Sequence, residues 1–235
     1  MSRLDISWFA LASGGTIALY AASRALHARV RSVLTLPIVV TAGSLFLAVV
    51  VGALDLDRYE AATRPLSFWL GPATVALAVP LHRHRALVSR HLRAVLAATA
   101  TGALSSILVV MGLAMTLHLG RPLSLSLVPK SVTTPIAMPI AEQLGGIPSV
   151  AAAVVVITGV LGMAFGGRLL TLARVRHPIA RGLALGTGAH GIGTARALEE
   201  GPVEGAMSGI AMVIAGALTA LLAPAIVHGL ESLLS

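Results

Sequence analysis

The chain contains no cysteine, which excludes disulfides, thiolate nucleophiles and cysteine-ligated metal centres. It is also poor in charge: 11% of its 235 residues are Asp, Glu, Lys or Arg, against about 25% in a soluble domain. Aromatic residues make up 3%, so helices must approach through small side chains such as Gly and Ala rather than through ring packing. Lys130 is the single lysine; the other 16 basic residues are arginine. What remains is apolar, at 56% hydrophobic residues and a mean hydropathy of +0.90. This is the composition of an all-α integral membrane protein. The start of the chain lacks a basic segment and a small-residue cleavage site, so no cleavable signal peptide is expected.

A net charge of +8 invites a nucleic-acid reading, but its distribution argues against one. Eleven of the 17 basic residues fall in three acid-free segments, Arg24–Arg31, His82–Arg93 and Arg168–Arg181. Arginine clusters beside apolar spans mark the cytoplasmic side of a membrane, and topology accounts for them fully.

Crossing a bilayer takes roughly 20 apolar residues. Six segments approach that length: Ile6–Ala22, Ser32–Leu54, Pro65–Leu81, Ala94–Leu119, Ile147–Phe165 and Val203–Leu230. With the three basic segments inside, parity forces Leu123–Gly146 to enter and leave from the outside. Gly182–Pro202 must then enter and leave from the inside. Both are polar and rich in Pro or Gly, a character tolerated at membrane depth only where backbone is buried in protein or lines a wet cavity. The expectation is six spans plus two broken or re-entrant elements, an inverted-repeat, transporter-like plan. An amphipathic surface helix over Leu123–Gly146 is the alternative, disfavoured by Pro135 and Pro139. The chain reads as a single membrane domain over 1–235, with peripheral helices in 1–64 and a core in 65–230.

An internal echo supports the plan. A shift of 57 residues superimposes Glu142 on Glu199, and Val156–Leu161 (VITGVL) on Val213–Leu218 (VIAGAL). Thr74–Pro80 (TVALAVP) also echoes Thr133–Pro139 (TTPIAMP).

Ionisable residues near the membrane interior default to functional candidates. In the first broken element these are Lys130 and Ser131, with Thr133 and Thr134 ahead of Pro135. Lys130 offers a point charge to a carboxylate, or snorkels to the interface. The threonines and the helix start at Pro135 offer hydroxyls and free N–H groups to an anion, or simply cap the helix. In the second element, Gly188, His190, Gly191 and Thr194 sit in a run with four glycines in nine residues, where backbone can approach a ligand closely. His190 is a proton acceptor or a hydrogen-bonded structural histidine. Glu142, Arg196, Glu199 and Glu204 are candidates for coupling or for structural charge, Arg196 and Glu199 being spaced for a helical ion pair. Glu204, at the start of the last span, is the favoured proton carrier.

No G-x-S-x-G or H-E-x-x-H motif is present, so no enzyme activity, metal or cofactor is expected. The alternating arginines of His82–Arg85 disfavour a cation there.

The stretches Pro129–Leu144, Leu169–Leu198 with HPIARGLALGTGAHGIGTARALE, and Val203–Pro224, together with Leu70–Leu81 (LGPATVALAVPL), closely resemble the LrgB/CidB family. The resemblance covers about Leu70 to Pro224. It implies either holin-like or antiholin-like control of murein hydrolases and lysis, or transport of small monocarboxylates of the pyruvate, glycolate and glycerate class. It also implies a small LrgA/CidA-like partner and a place in the inner, cell membrane as a multi-pass protein. Pro139 stands where relatives are expected to carry an acidic or polar residue. Small-residue faces such as Gly102–Ala103 and Gly205–Ala206 suggest a homodimer.

Overall fold

The computed structural model describes residues 3–30, 32–69, 72, 75, 79, 82 and 85–234. The chain divides into two compact units, Met1–Ala73 and Thr74–Ser235. No strand occurs among the described residues. The third expected span, Pro65–Leu81, is described only to Trp69 and at isolated positions; the LGPATVALAVPL stretch lies largely outside the described residues, as do Arg83 and His84.

The first unit holds α1 (Arg3–Val30), a 3-10 turn (Val33–Thr35), α2 (Pro37–Val50) and α3 (Leu56–Phe68). Ser32 and Thr35 form a reciprocal capping box at the turn, and Pro37 opens α2 where no N–H is needed. Hydroxyls tie the helices together: Thr41 donates to Ser23 at 3.2 Å, and Thr16 lies 2.9 Å from Tyr59 Oη. The expected span Ile6–Ala22 falls inside α1. Ser32–Leu54 instead resolves into the turn and a 14-residue helix, about 21 Å long, which is short of a 30 Å hydrocarbon core.

The second unit contains α4 (Arg85–Arg90), α5 (Leu92–Thr116), α6 (Arg121–Leu127), α7 (Thr134–Leu144) and α8 (Pro148–Leu161). A π turn over Gly162–Gly166 leads into α9 (Gly167–Leu172), followed by α10 (Pro178–Glu200) and α11 (Pro202–Leu234). Among the described residues, three stretches are long and apolar enough to cross a bilayer: Leu92–Thr116, Pro148–Leu172 and Pro202–Ser232. They correspond to the last three spans expected from sequence.

α10 is not one rod. Ala189 (φ −134°, ψ 16°) and His190 (φ 43°, ψ −133°) break it. A straight helix would hold Arg181 and Glu200 roughly 28 Å apart; their side chains meet at 2.7 Å. The two halves, α10a (178–188) and α10b (191–200), therefore fold back as a hairpin with its tip at His190. Gly193 lets the arms touch, since a Cβ there would fall 2.6 Å from that of Ala189.

The first broken element is likewise a hairpin. Ser126 in α6 accepts the Ile147 N–H at 2.7 Å, so the chain leaves where it entered. Its break occupies 128–133, ahead of Pro135 rather than at the prolines. α7 runs through Pro139, which at that position forfeits one intrahelical bond near the helix start. Gly145 (φ 84°) terminates α7 with its N–H on the Ala141 and Glu142 carbonyls.

α11 sets the relative levels of both hairpins. α10a meets its N-terminal end, with Gly182 against the Glu204 carbonyl and Gly186 against that of Ser208. Near the α10 tip, Gly191 faces Met212. One turn further along α11, Gly216 faces Ile136 at the start of α7. The base of the α6–α7 hairpin reaches the C-terminal end through Arg121 and Glu231, 2.7 Å apart. The hairpins thus reach α11 from opposite ends, and their tips lie at neighbouring levels near its middle. Each is followed by an apolar stretch long enough to cross a bilayer, Pro148–Leu172 and Pro202–Ser232 respectively.

Candidate functional site

Both tips border one cavity of about 980 Å³ in the second unit, at the upper end of the size range of ligand pockets. Its long walls are α5 and α10a, which run parallel: Val95 and Leu183 share one apolar cluster, and Gly102 lies against the Thr187 methyl. His91 and His177, the residues preceding α5 and α10, line one end. Lys130, Ser131, Ser106 and Val109 line the other. From His91 to Ser106 is roughly 22 Å along α5. Among the described residues, no acidic side chain lines the cavity.

The polar end is organised around the single lysine. Lys130 Nζ donates to Ser131 Oγ at 3.1 Å, and Ser131 Oγ lies 2.9 Å from Ser106 Oγ. Ser131 is buried, and Lys130 half-buried. An ammonium has three donors, and one is committed to Ser131, so two remain for an acceptor in the cavity. The arrangement can hold a small anion by charge and by hydroxyl bonds.

Of the residues singled out from sequence, Lys130, Ser131 and Gly188 line this cavity. Thr133, Thr134, Pro135, His190, Gly191 and Thr194 do not. Thr133 precedes α7 in extended conformation, and its hydroxyl is buried with no hydrogen-bond partner. His190 is buried, with Nε2 2.9 Å from the Val155 carbonyl. A carbonyl only accepts, so Nε2 carries the proton and the ring belongs to α8. Thr194 spends its hydroxyl on the His190 carbonyl and on Ser208, both at 2.9 Å. The positive φ at the tip falls on His190 and not on a glycine. The glycines of α10 instead permit helix contact, which is why Gly186 and Gly193 are buried.

Of the charged candidates, Arg196, Glu199 and Glu204 lie at the base of the second hairpin. Arg196 pairs with Glu199 at 3.0 Å, and its Nε lies 3.5 Å from Glu200. Arg181 binds Glu200 at 2.7 Å and also donates to the carbonyls of Gly167 and Val175 and to Thr171 Oγ1. The Glu200 hydrogen bond raises the Arg181 guanidinium above its ordinary pKa, and Glu231 does the same for Arg121. Glu200, not Glu204, is the most enclosed acid of this cluster: its side chain is 11% exposed. Glu204 is half-buried at the start of α11, and Glu142 is exposed at the end of α7.

Sequence reasoning missed Ser106, Thr187, His91 and His177. The available signal was Thr101, Ser105 and Ser106 at helical spacing inside an otherwise apolar span.

The model of the LrgB-like family matches residues 16–228. A protein of Bacillus subtilis strain 168, called uncharacterized protein YwbG, is 36% identical over 89% of this chain and 93% of its own length. Antiholin-like protein LrgB of Bacillus cereus strain B4264 is 37% identical over 77% of this chain and 81% of its own. The protein of the same name from Bacillus anthracis strain CDC 684 is equally similar. No solved structure matches significantly. The chain is an all-helical membrane protein of the LrgB-like family.

Proposed function

We propose that this protein is a secondary carrier of small monocarboxylates, of the pyruvate, glycolate and glycerate class, rather than an enzyme. The observation that carries the proposal is Lys130: the chain's one lysine, at a hairpin tip, in an acid-free cavity with two serine hydroxyls. A cation embedded among apolar helices needs a counter-charge, and a substrate carboxylate supplies it without a permanent partner. Hairpins entering from opposite ends suit alternating access around a fixed central site. The reading includes an inverted repeat, six spans, and a multi-pass location in the inner, cell membrane with the basic segments inside. It also includes a homodimer working with an LrgA/CidA-like small membrane protein.

The second reading is a modulator of murein hydrolase activity and autolysis, favoured by the antiholin-like names of the B. cereus and B. anthracis relatives. Uptake of labelled pyruvate, glycolate and lactate into proteoliposomes, with and without an LrgA-like partner, separates the two. A carrier saturates and shows counter-flow. Uptake no faster than in protein-free vesicles under both conditions would reject the carrier.

A further inference from the structure

The first unit holds a cavity of its own, about 510 Å³, that the carboxylate reading does not use. One wall is a helical stripe of α3, Arg58, Ala61, Ala62 and Pro65, at the i, i+3, i+4, i+7 spacing of a single face. Arg64 flanks the stripe, and Trp8 and Phe9 of α1 close the opposite side. Apolar walls therefore carry two guanidiniums at their rim. Among the described residues neither guanidinium has an ion pair or a hydrogen bond. Asp57 and Glu60, on the same helix, are not in the wall.

A free inorganic anion would satisfy the arginines and leave the aromatic and alanine surface wet. A neutral lipid would cover that surface and leave the charges unmatched. An anionic phospholipid does both, its phosphate on the arginine fork and an acyl chain against Trp8, Phe9 and Ala61. Tryptophan and arginine are also the side chains that settle at the level of lipid headgroups. We propose that this cavity is a binding site for an anionic phospholipid, independent of any transported solute.

The test is native mass spectrometry of the full chain in mild detergent, offered phosphatidylglycerol or phosphatidylcholine with matched acyl chains, and inorganic phosphate separately. Phosphatidylglycerol should be retained about tenfold better than phosphatidylcholine, given two basic groups at a headgroup site. The Arg58→Gln/Arg64→Gln protein should lose that preference. Ala61→Phe, which fills the cavity and keeps both charges, should lower retention of both lipids. Equal retention of the two lipids by the wild type overturns the proposal, as does a preference that survives Arg58→Gln/Arg64→Gln or retention that Ala61→Phe leaves unchanged. Displacement of phosphatidylglycerol by inorganic phosphate alone would also overturn it, by making this a simple anion site.

Discussion

Arg181 and Glu200 stand 19 residues apart in the chain and 2.7 Å apart in space. The contact ties together the two ends of a 23-residue segment that breaks at Ala189 and His190, so both arms stand at the same end of α11. Arg181 is shared with the carbonyls of Gly167 and Val175, so the bond also holds the end of the preceding helix. Glu200→Gln should lower stability by about 2 kcal/mol, the scale of a charged hydrogen bond lost from an enclosed site. Thermal unfolding in detergent measures it. Glu199→Gln, on the more exposed partner of Arg196, should cost less than about 0.5 kcal/mol. Equal losses would mean that Glu200 does not close the hairpin.

Glycines in α10 divide into two kinds with opposite expectations. A Cβ at Gly186 would collide with the Ser208 backbone, whereas one at Gly188 meets nothing within 4 Å. Gly186→Ala should force α10 and α11 apart and destabilise by about 1–3 kcal/mol. Gly188→Ala should leave stability unchanged or slightly raised. The comparison needs only melting curves for the two proteins.

His190 combines a backbone conformation suited to glycine with a side chain that satisfies a buried carbonyl. Substitution by alanine keeps the backbone strain and orphans the Val155 carbonyl. Substitution by glycine relieves the strain while orphaning the same group. His190→Gly should therefore be more stable than His190→Ala by about 1 kcal/mol. If alanine is the better tolerated of the two, the strain at φ 43° is not real.

Much of the architecture was legible because membrane depth leaves few options for polar, Pro- or Gly-rich backbone. Leu123–Gly146 and Gly182–Pro202 stood out for that reason, and both form hairpins. The position of each break was less legible. Pro135 marked the helix start, since a proline at the first turn costs little, but Pro139, which disfavoured an uninterrupted helix, lies inside α7. In α10 the glycine run was expected to bring backbone close to a ligand; Gly186 instead packs against Ser208 and Gly193 against Leu185, and the turn falls to His190. The wall of α5 was hidden because a few hydroxyls in a 25-residue apolar helix look like any span. Which side chains face one cavity depends on register between helices distant in sequence, and single-chain periodicity carries no such information.

Side assignment follows from the same geometry. His91 and His177 line one end of the cavity, so the basic segments around Arg90 and Arg176 share a side. In the cysteine-free chain, Arg90→Cys and Arg176→Cys should react with an impermeant maleimide from the same side of oriented vesicles, and Leu117→Cys from the other. Labelling of Arg90→Cys and Arg176→Cys from opposite sides would break the arrangement of α5 and α10a.

The most direct measurement is carboxylate binding by the Lys130→Met protein, with its fold checked by the same melting curve as the wild type. Methionine keeps the stem and removes the charge. Loss of the charged partner of a bound anion costs about 2–5 kcal/mol, so affinity for the proposed carboxylate should fall by roughly a hundredfold. Lys130→Arg should restore it only in part, because a planar guanidinium does not fit a point-charge site against Ser131. Unchanged binding and uptake in folded Lys130→Met protein would contradict the account.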